Sequence, residues 1–195
     1  MLRDDFGRNE REKVESDLKY IENGTAKMEH LLSDTLQLSR IGRMANPPED
    51  VPFGKIAQEA LVQTAHQIKS SRVEISVAED FPTVHVDRMR IGEVLVNLIT
   101  NSINYMGEQP SQKIDIGYRI DGEETVFFVR DNGIGIDKTQ HEKVFELFYK
   151  VDKSSKGTGA GLAIVKRIIE VHRSRIWIES EKGKGCMVCF TLPVV

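Results

Sequence analysis

The chain has 195 residues, 39% of them apolar, which is enough for one core and an appendage. A net charge of −3 with 29% charged residues leaves no basic footprint for nucleic acid. No apolar run reaches the length of a bilayer span and the first residues lack the apolar centre of a signal peptide, so this portion is expected to be cytoplasmic, with Cys186 and Cys189 as reduced thiols.

From about Asn9 to Arg43 the pattern predicts one long helix. Val14, Leu18, Ile21, Thr25, Met28, Leu32, Thr35 and Ser39 alternate steps of four and three, the spacing of a helix that packs along another helix. A partner for this face is not evident elsewhere in the sequence, and a second chain or a preceding segment is the expectation. Asn46-Pro47-Pro48-Glu49-Asp50-Val51-Pro52 reads as a proline linker, which puts a boundary near residue 45.

Phe53 to Lys69 is helical by period, with Ile56, Ala60, Leu61, Thr64 and Ile68 on one face. Strands are expected over Arg72–Ala78 and Thr83–Val86, with Asp87 as the cap of a helix running to about Met106. In that helix Ile91, Val94, Leu95, Leu98, Ile99 and Ser102 lie to one side. Arg90, Glu93, Asn97, Asn101 and Asn104 recur along another. Solvated helix faces are normally built from Lys and Glu, and each Asn costs roughly half a kcal/mol relative to Ala. Three on one stripe therefore point to amide chemistry: a neutral oxygen for a cation already carrying phosphates, and a nitrogen that donates to phosphate oxygen.

Lys113–Arg119 and Thr125–Arg130 read as a hairpin around Asp121-Gly122. Its second strand delivers Asp131 to the turn Asp131-Asn132-Gly133-Ile134-Gly135-Ile136. A carboxylate there can accept from an exocyclic amine, although Asp-Asn-Gly is also a common turn. Asp137–Phe148 is expected to be a short helix ending in an aromatic cluster, followed by a polar segment carrying Lys150, Lys153 and Lys156. Gly157-Thr158-Gly159-Ala160-Gly161-Leu162 then opens a helix to Val171, and unpaired N–H groups at such a start suit phosphate. Arg175–Ser180 and Cys186–Leu192 complete a sheet of about five strands. The fold class is α+β, a two-layer sandwich of mixed sheet and three main helices behind the long N-terminal helix.

These motifs together resemble sensor histidine kinases. The stretch from Glu93 to Tyr105 looks like the N box, Asp131–Ile136 the G1 box, Phe145–Phe148 the F box and Gly157–Leu162 the G2 box. The resemblance covers residues 53–195 as the catalytic ATP-binding domain of the Bergerat (GHKL) fold. Residues 1–44 look like the second helix of the dimerisation and histidine-phosphotransfer hairpin, joined through linker 45–52. It implies ATP and Mg²⁺ as ligands, with Asn101 on the metal and Asn97 on the phosphates or the metal shell. Asn104 stands where the family often has Lys or Arg, and Lys153 is a lid lysine that could reach a phosphate. Asp131 binds the adenine amine, Gly133 and Gly135 belong to the turn beneath the base, and Tyr105, Ile136 and Phe148 wall the base or brace the lid. Gly157, Thr158, Gly159, Gly161 and Leu162 wrap the phosphates. Thr191, on the last strand, adds a water-mediated adenine contact.

No His-Glu-Leu-Arg-like phosphoacceptor motif exists in the chain, and His30 reads as a flank residue of the long helix. The expectation is a shortened kinase that has the ATP engine and half the docking hairpin, with a homodimer, the acceptor hairpin and a response-regulator receiver domain as partners of the longer protein. Two other readings stay open. A GHKL ATPase of the gyrase, Hsp90 or MutL kind would carry a Glu four residues before the metal-binding Asn, where this chain has Asn97. A non-catalytic nucleotide-binding scaffold would need no acceptor at all. The serine-kinase branch of the fold fits the attached helix and aromatic lid less well.

Overall fold

A computed structural model describes residues 2–41, 46–152 and 157–195, with side chains from residue 13 onward except those of 23, 27 and 30. The first element is a helix, α1 (Leu2–Ile41). Its apolar stripe stands in solvent, with Val14, Leu18, Ile21, Met28, Leu32 and Leu36 all more than half exposed. Among its described side chains the C-terminal ones join the body: Leu38 packs against the core and Ile41 is buried in it.

The body has two layers. Five strands form one sheet in the order β2-β4-β5-β7-β6, where β2 is Glu74–Val77, β4 Lys113–Asp121, β5 Glu124–Asp131, β6 Ile176–Ser180 and β7 Cys186–Thr191. Only the β2–β4 pair is parallel, as the hairpin-rich sequence predicts. Three helices, α2 (Phe53–Ser71), α3 (Arg88–Asn104) and α4 (Gly161–Val171), supply the apolar residues of the second layer. Phe53, Phe127 and Phe190 are fully buried at the centre, with Phe53 and Phe127 centroids 4.4 Å apart.

α1 begins at Leu2, about seven residues before the expected start near Asn9, whereas α2 and α3 begin where the sequence places them. Asp87 caps α3 by accepting from the Arg90 amide at 3.2 Å, and the same carboxylate takes the Asn46 amide at 2.8 Å. Pro52 precedes α2, which ends at Arg72 in the left-handed region. His172, just after α4, accepts from the Asp87 amide through Nε2 at 3.1 Å and bonds the Ile168 carbonyl through Nδ1 at 2.8 Å. That pairing fixes one neutral tautomer and ties the ends of α3 and α4 together.

Two local expectations are corrected. Glu49–Pro52, read as linker, forms strand β1, which pairs antiparallel with β3 (Thr83–Val86). Val51 is buried beneath this ribbon, so one apolar side chain among the prolines is enough to recruit the segment. Asp137–Phe148 is not one helix. It holds two 3₁₀ turns, Lys138–Gln140 and Lys143–Phe145. The Phe148 amide bonds the Gly159 carbonyl at 3.1 Å instead of a carbonyl one turn back, and Phe148 itself takes φ +67°. A bulky residue in that region ends any helix.

Candidate nucleotide site

α3, the end of β5, the glycine turn after it and the loop before α4 enclose a cavity of about 300 Å³. Asp131 stands at its base. One carboxylate oxygen accepts from the Gly133 amide at 2.9 Å and the Cys186 amide at 3.2 Å; the other accepts from the Ser102 hydroxyl at 3.0 Å. Burial pushes its pKa up from the usual carboxylate value, and these three donors pull it back. The second oxygen keeps accepting capacity, since a carboxylate offers about four lone-pair sites. Ile134, Ile136, Val144, Ile178 and Val188 supply apolar wall around it. This end of the cavity has apolar walls and a carboxylate acceptor at its base, which suits a heteroaromatic amine.

The glycines of the two turns serve chain packing as much as ligand approach. Gly135 has φ +64°, and a Cβ there would fall 2.1 Å from the Glu181 carbonyl oxygen. Gly159 has φ +85° and backs onto Tyr149. Gly161 faces the asparagine stripe, and a Cβ on it would come within 3.2 Å of Asn97 Oδ1. Asn97 Nδ2 donates to the Glu93 carbonyl at 3.0 Å, which turns its oxygen toward Gly161 and the cavity. The Asn101 amide lies beside it, 3.7 Å from the same imagined Cβ.

The donor set decides which cation could bind here. Among the described residues no cluster of three or more His, Cys, Asp or Glu could hold a metal alone. The stripe offers neutral amide oxygens, a set that fits Mg²⁺ arriving with phosphates and not a metal held by protein alone. The Glu93 carboxylate, one turn further, is held by Arg90 at 2.8 Å and by Gln37.

Of the expected site residues, Asn97, Asn101, Asn104, Tyr105, Asp131, Gly135, Ile136, Gly157, Thr158, Gly159, Gly161 and Leu162 all line the cavity. Gly133 lies behind it, donating to Asp131, with no room for a Cβ against the Tyr105 carbonyl. Phe148, about two-fifths exposed, does not line the cavity; its neighbour Tyr149 does. Lys153 lies outside the described residues. Thr191 is not at the base-binding end. It pairs with Val126, five residues along β5 from Asp131, and its hydroxyl accepts from the Arg175 amide at 3.1 Å. The β7 residue opposite Asp131 is Cys186. Burial first, and the Asp131 charge second, push the Cys186 thiol up to about 12, so it presents a neutral S–H.

Residues 86–195 match the family of histidine kinase-, DNA gyrase B- and HSP90-like ATPases. The chain belongs to this family. It is the ATP-binding catalytic module of a sensor histidine kinase. It is 57% identical over 98% of its length to a methanogenesis regulatory histidine kinase, FilI, of Methanothrix harundinacea, of which it spans 22%. It is 33% identical over 90% of its length to the sensor histidine kinase WalK of Bacillus subtilis, spanning 30% of that protein. The chain thus covers less than a third of either relative. Among solved structures it resembles full-length ShkA in complex with AMPPNP, with a TM-score of 0.71, 25% identity and coverage of 85% of this chain and 35% of that one. It also resembles histidine kinase ThkA in complex with the response regulator TrrA, with a TM-score of 0.69, 25% identity and coverage of 90% and 49%. No helix among the described residues is long and apolar enough to cross a membrane.

Proposed function

We propose that the module presents the γ-phosphoryl group of ATP to a histidine imidazole outside this chain, for relay to a response-regulator aspartate. Its divisions are a hairpin helix over residues 1–44, a connecting segment over 45–52 whose second half is strand β1 of the body, and the catalytic domain over 53–195. The observation that carries the nucleotide reading is the half-buried Asp131 carboxylate, held by three donors and opened to the slot opposite the asparagine stripe. It accepts the adenine amine, while the guanine edge presents an oxygen to the same place and is repelled. Asn101 and Asn97 hold the Mg²⁺, which supplies neutralisation of charge on the phosphates. The amides around Gly157 and Gly159 and the start of α4 take phosphate oxygens.

A neutral imidazole needs little activation. Its nitrogen attacks the γ-phosphorus, the bond from phosphorus to the bridging oxygen breaks, and ADP leaves. The capture of Glu93 by Arg90 and Gln37 favours this transfer over the ATPase reading, because that carboxylate is not offered to a water. The longer protein pairs with itself through the α1 stripe, and this portion works in the cytoplasm. The FilI and WalK names and the ThkA–TrrA complex support the relay partners.

Calorimetric titration with ATP and GTP, with and without Mg²⁺, tests the reading. ATP binds and GTP binds much more weakly. Asp131→Asn weakens ATP by about 10–100-fold, the loss of one hydrogen bond to a charged group. Asn101→Ala removes the Mg²⁺ dependence. Absence of ATP binding at about millimolar concentration would put the scaffold reading ahead.

A further inference from the structure

Helix α1 does more than leave the body at Ile41. Two of its side chains, Asp34 and Gln37, form part of the wall of the nucleotide cavity. The Thr158 hydroxyl, in the loop before α4, donates to the Asp34 carboxylate and accepts from the Ala160 amide at 3.3 Å. Gln37 donates to Glu93 of α3, one turn before Asn97. With Leu38 on the core and Ile41 inside it, the last two turns of α1 are fastened at four points. The rest of the stripe remains in water.

The chemistry of the Asp34 contact is the opposite of what phosphates want. A hydroxyl has one proton to donate, and Thr158 gives it to a carboxylate. A fixed negative charge then stands at the phosphate-binding loop, where a triphosphate would bring several more. The base-binding end is independent of this. Asp131 is held by Gly133, Cys186 and Ser102, none of which belongs to α1.

We propose that the seated C-terminal end of α1 is an intramolecular competitor of the nucleotide's phosphates, with Asp34 as the latch on Thr158. The inference rests on the reading of the cavity as a nucleotide site. Phosphates take Thr158 and the loop amides, Asp34 is expelled, and α1 loosens from its seat. By linkage the effect runs both ways: whatever draws α1 away from Asp34's position raises affinity for ATP, and ATP makes α1 easier to draw away. The coupling acts on the phosphates and leaves the base contact alone.

The test compares ATP with adenosine, which has the base and no phosphate. Titrations with wild-type chain, Asp34→Ala and Gln37→Ala are read beside their thermal melting, which confirms folding. ATP binds Asp34→Ala about 10-fold more tightly than wild type, within the usual range of coupling between sites, and adenosine binds both equally. Gln37→Ala moves ATP in the same direction by less. Amide hydrogen exchange over residues 34–41 of the wild type speeds up with ATP and stays unchanged with adenosine. Weaker ATP binding in Asp34→Ala would make Asp34 a helper of the metal or phosphate and overturn the latch, as would unchanged affinity. Failure of both adenosine and ATP to bind any variant would instead remove the nucleotide reading itself, and the latch with it.

Discussion

Asp131 combines two opposed demands. It accepts an amine best when ionised, and it sits where burial disfavours ionisation. Since its folded value is raised, the ionised acceptor is lost as pH falls at a higher pH than for an ordinary Asp, whose value is 3.8. Adenosine affinity should therefore be full near neutrality and drop before the ordinary carboxylate range is reached. Calorimetric titration across that window checks it, and Asp131→Asn should flatten the step. For the free protein the sign is the reverse: Asp131 favours the fold at low pH and that contribution fades as pH rises through its raised value. The residue was legible in the sequence because a carboxylate at a strand end before Gly-x-Gly is conspicuous. Thr191 was misplaced for a definite reason. Alternation tells which face of β7 a side chain takes, but only the pairing register tells which end of the strand meets the slot. That register puts Cys186, not Thr191, across from Asp131. Ser102 had a visible signal, as a hydroxyl on the otherwise apolar side of α3.

At the scale of elements, α2, α3, α4 and the five-stranded sheet followed from the sequence pattern to within about two residues, because each buries one face against the other layer, while α1, with its stripe in water, starts about seven residues before its expected beginning. What periodicity missed was decided by contacts distant in sequence. β1 exists because β3 offers it an edge, and the two 3₁₀ turns replace a helix because Gly159 captures the Phe148 amide. The end of α1 is the third case. Ile41 lies two residues beyond the last position of the partner-seeking stripe, and it is 2% exposed within the core of the ATP-binding body. Ile41→Ala should lower unfolding stability by about 2–5 kcal/mol, measured by chemical denaturation. A like substitution at Leu18, already in water, should change it by less than about 0.5 kcal/mol. Truncation after residue 44 would thus remove a core side chain along with the helix. A cut before Asp34 would spare both the core and the latch.

For the whole molecule, the exposed stripe from Val14 to Leu36 is the feature that the body leaves unsatisfied. A helix with such a face pairs with another like it. The chain should self-associate with rising concentration in sedimentation velocity, and replacing Leu18 and Leu32 together by Glu should leave a monomer that still binds ATP. Sequence motifs were able to announce the site because its lining is concentrated in the N, G1 and G2 boxes, whereas the docking of α1 depends on two contacts, Asp34 to Thr158 of the loop and Gln37 to Glu93 of α3, that no local pattern encodes.

The small ribbon at the edge of the body has a consequence for assembly. β3 is flanked on one side by β1, where the catalytic body begins, and on the other by Val194, with the His85 amide on Pro193 and the Val195 amide on Thr83. Entry and exit of the body therefore lie one strand apart. It can be spliced into a host protein as a cassette, or its ends joined by a few residues and reopened in an exposed turn such as Asp121-Gly122, without unthreading the sheet. Any domain fused after Val195 would be delivered beside the ribbon through which the chain enters the body, whereas one fused before Leu2 would stand a whole helix length away.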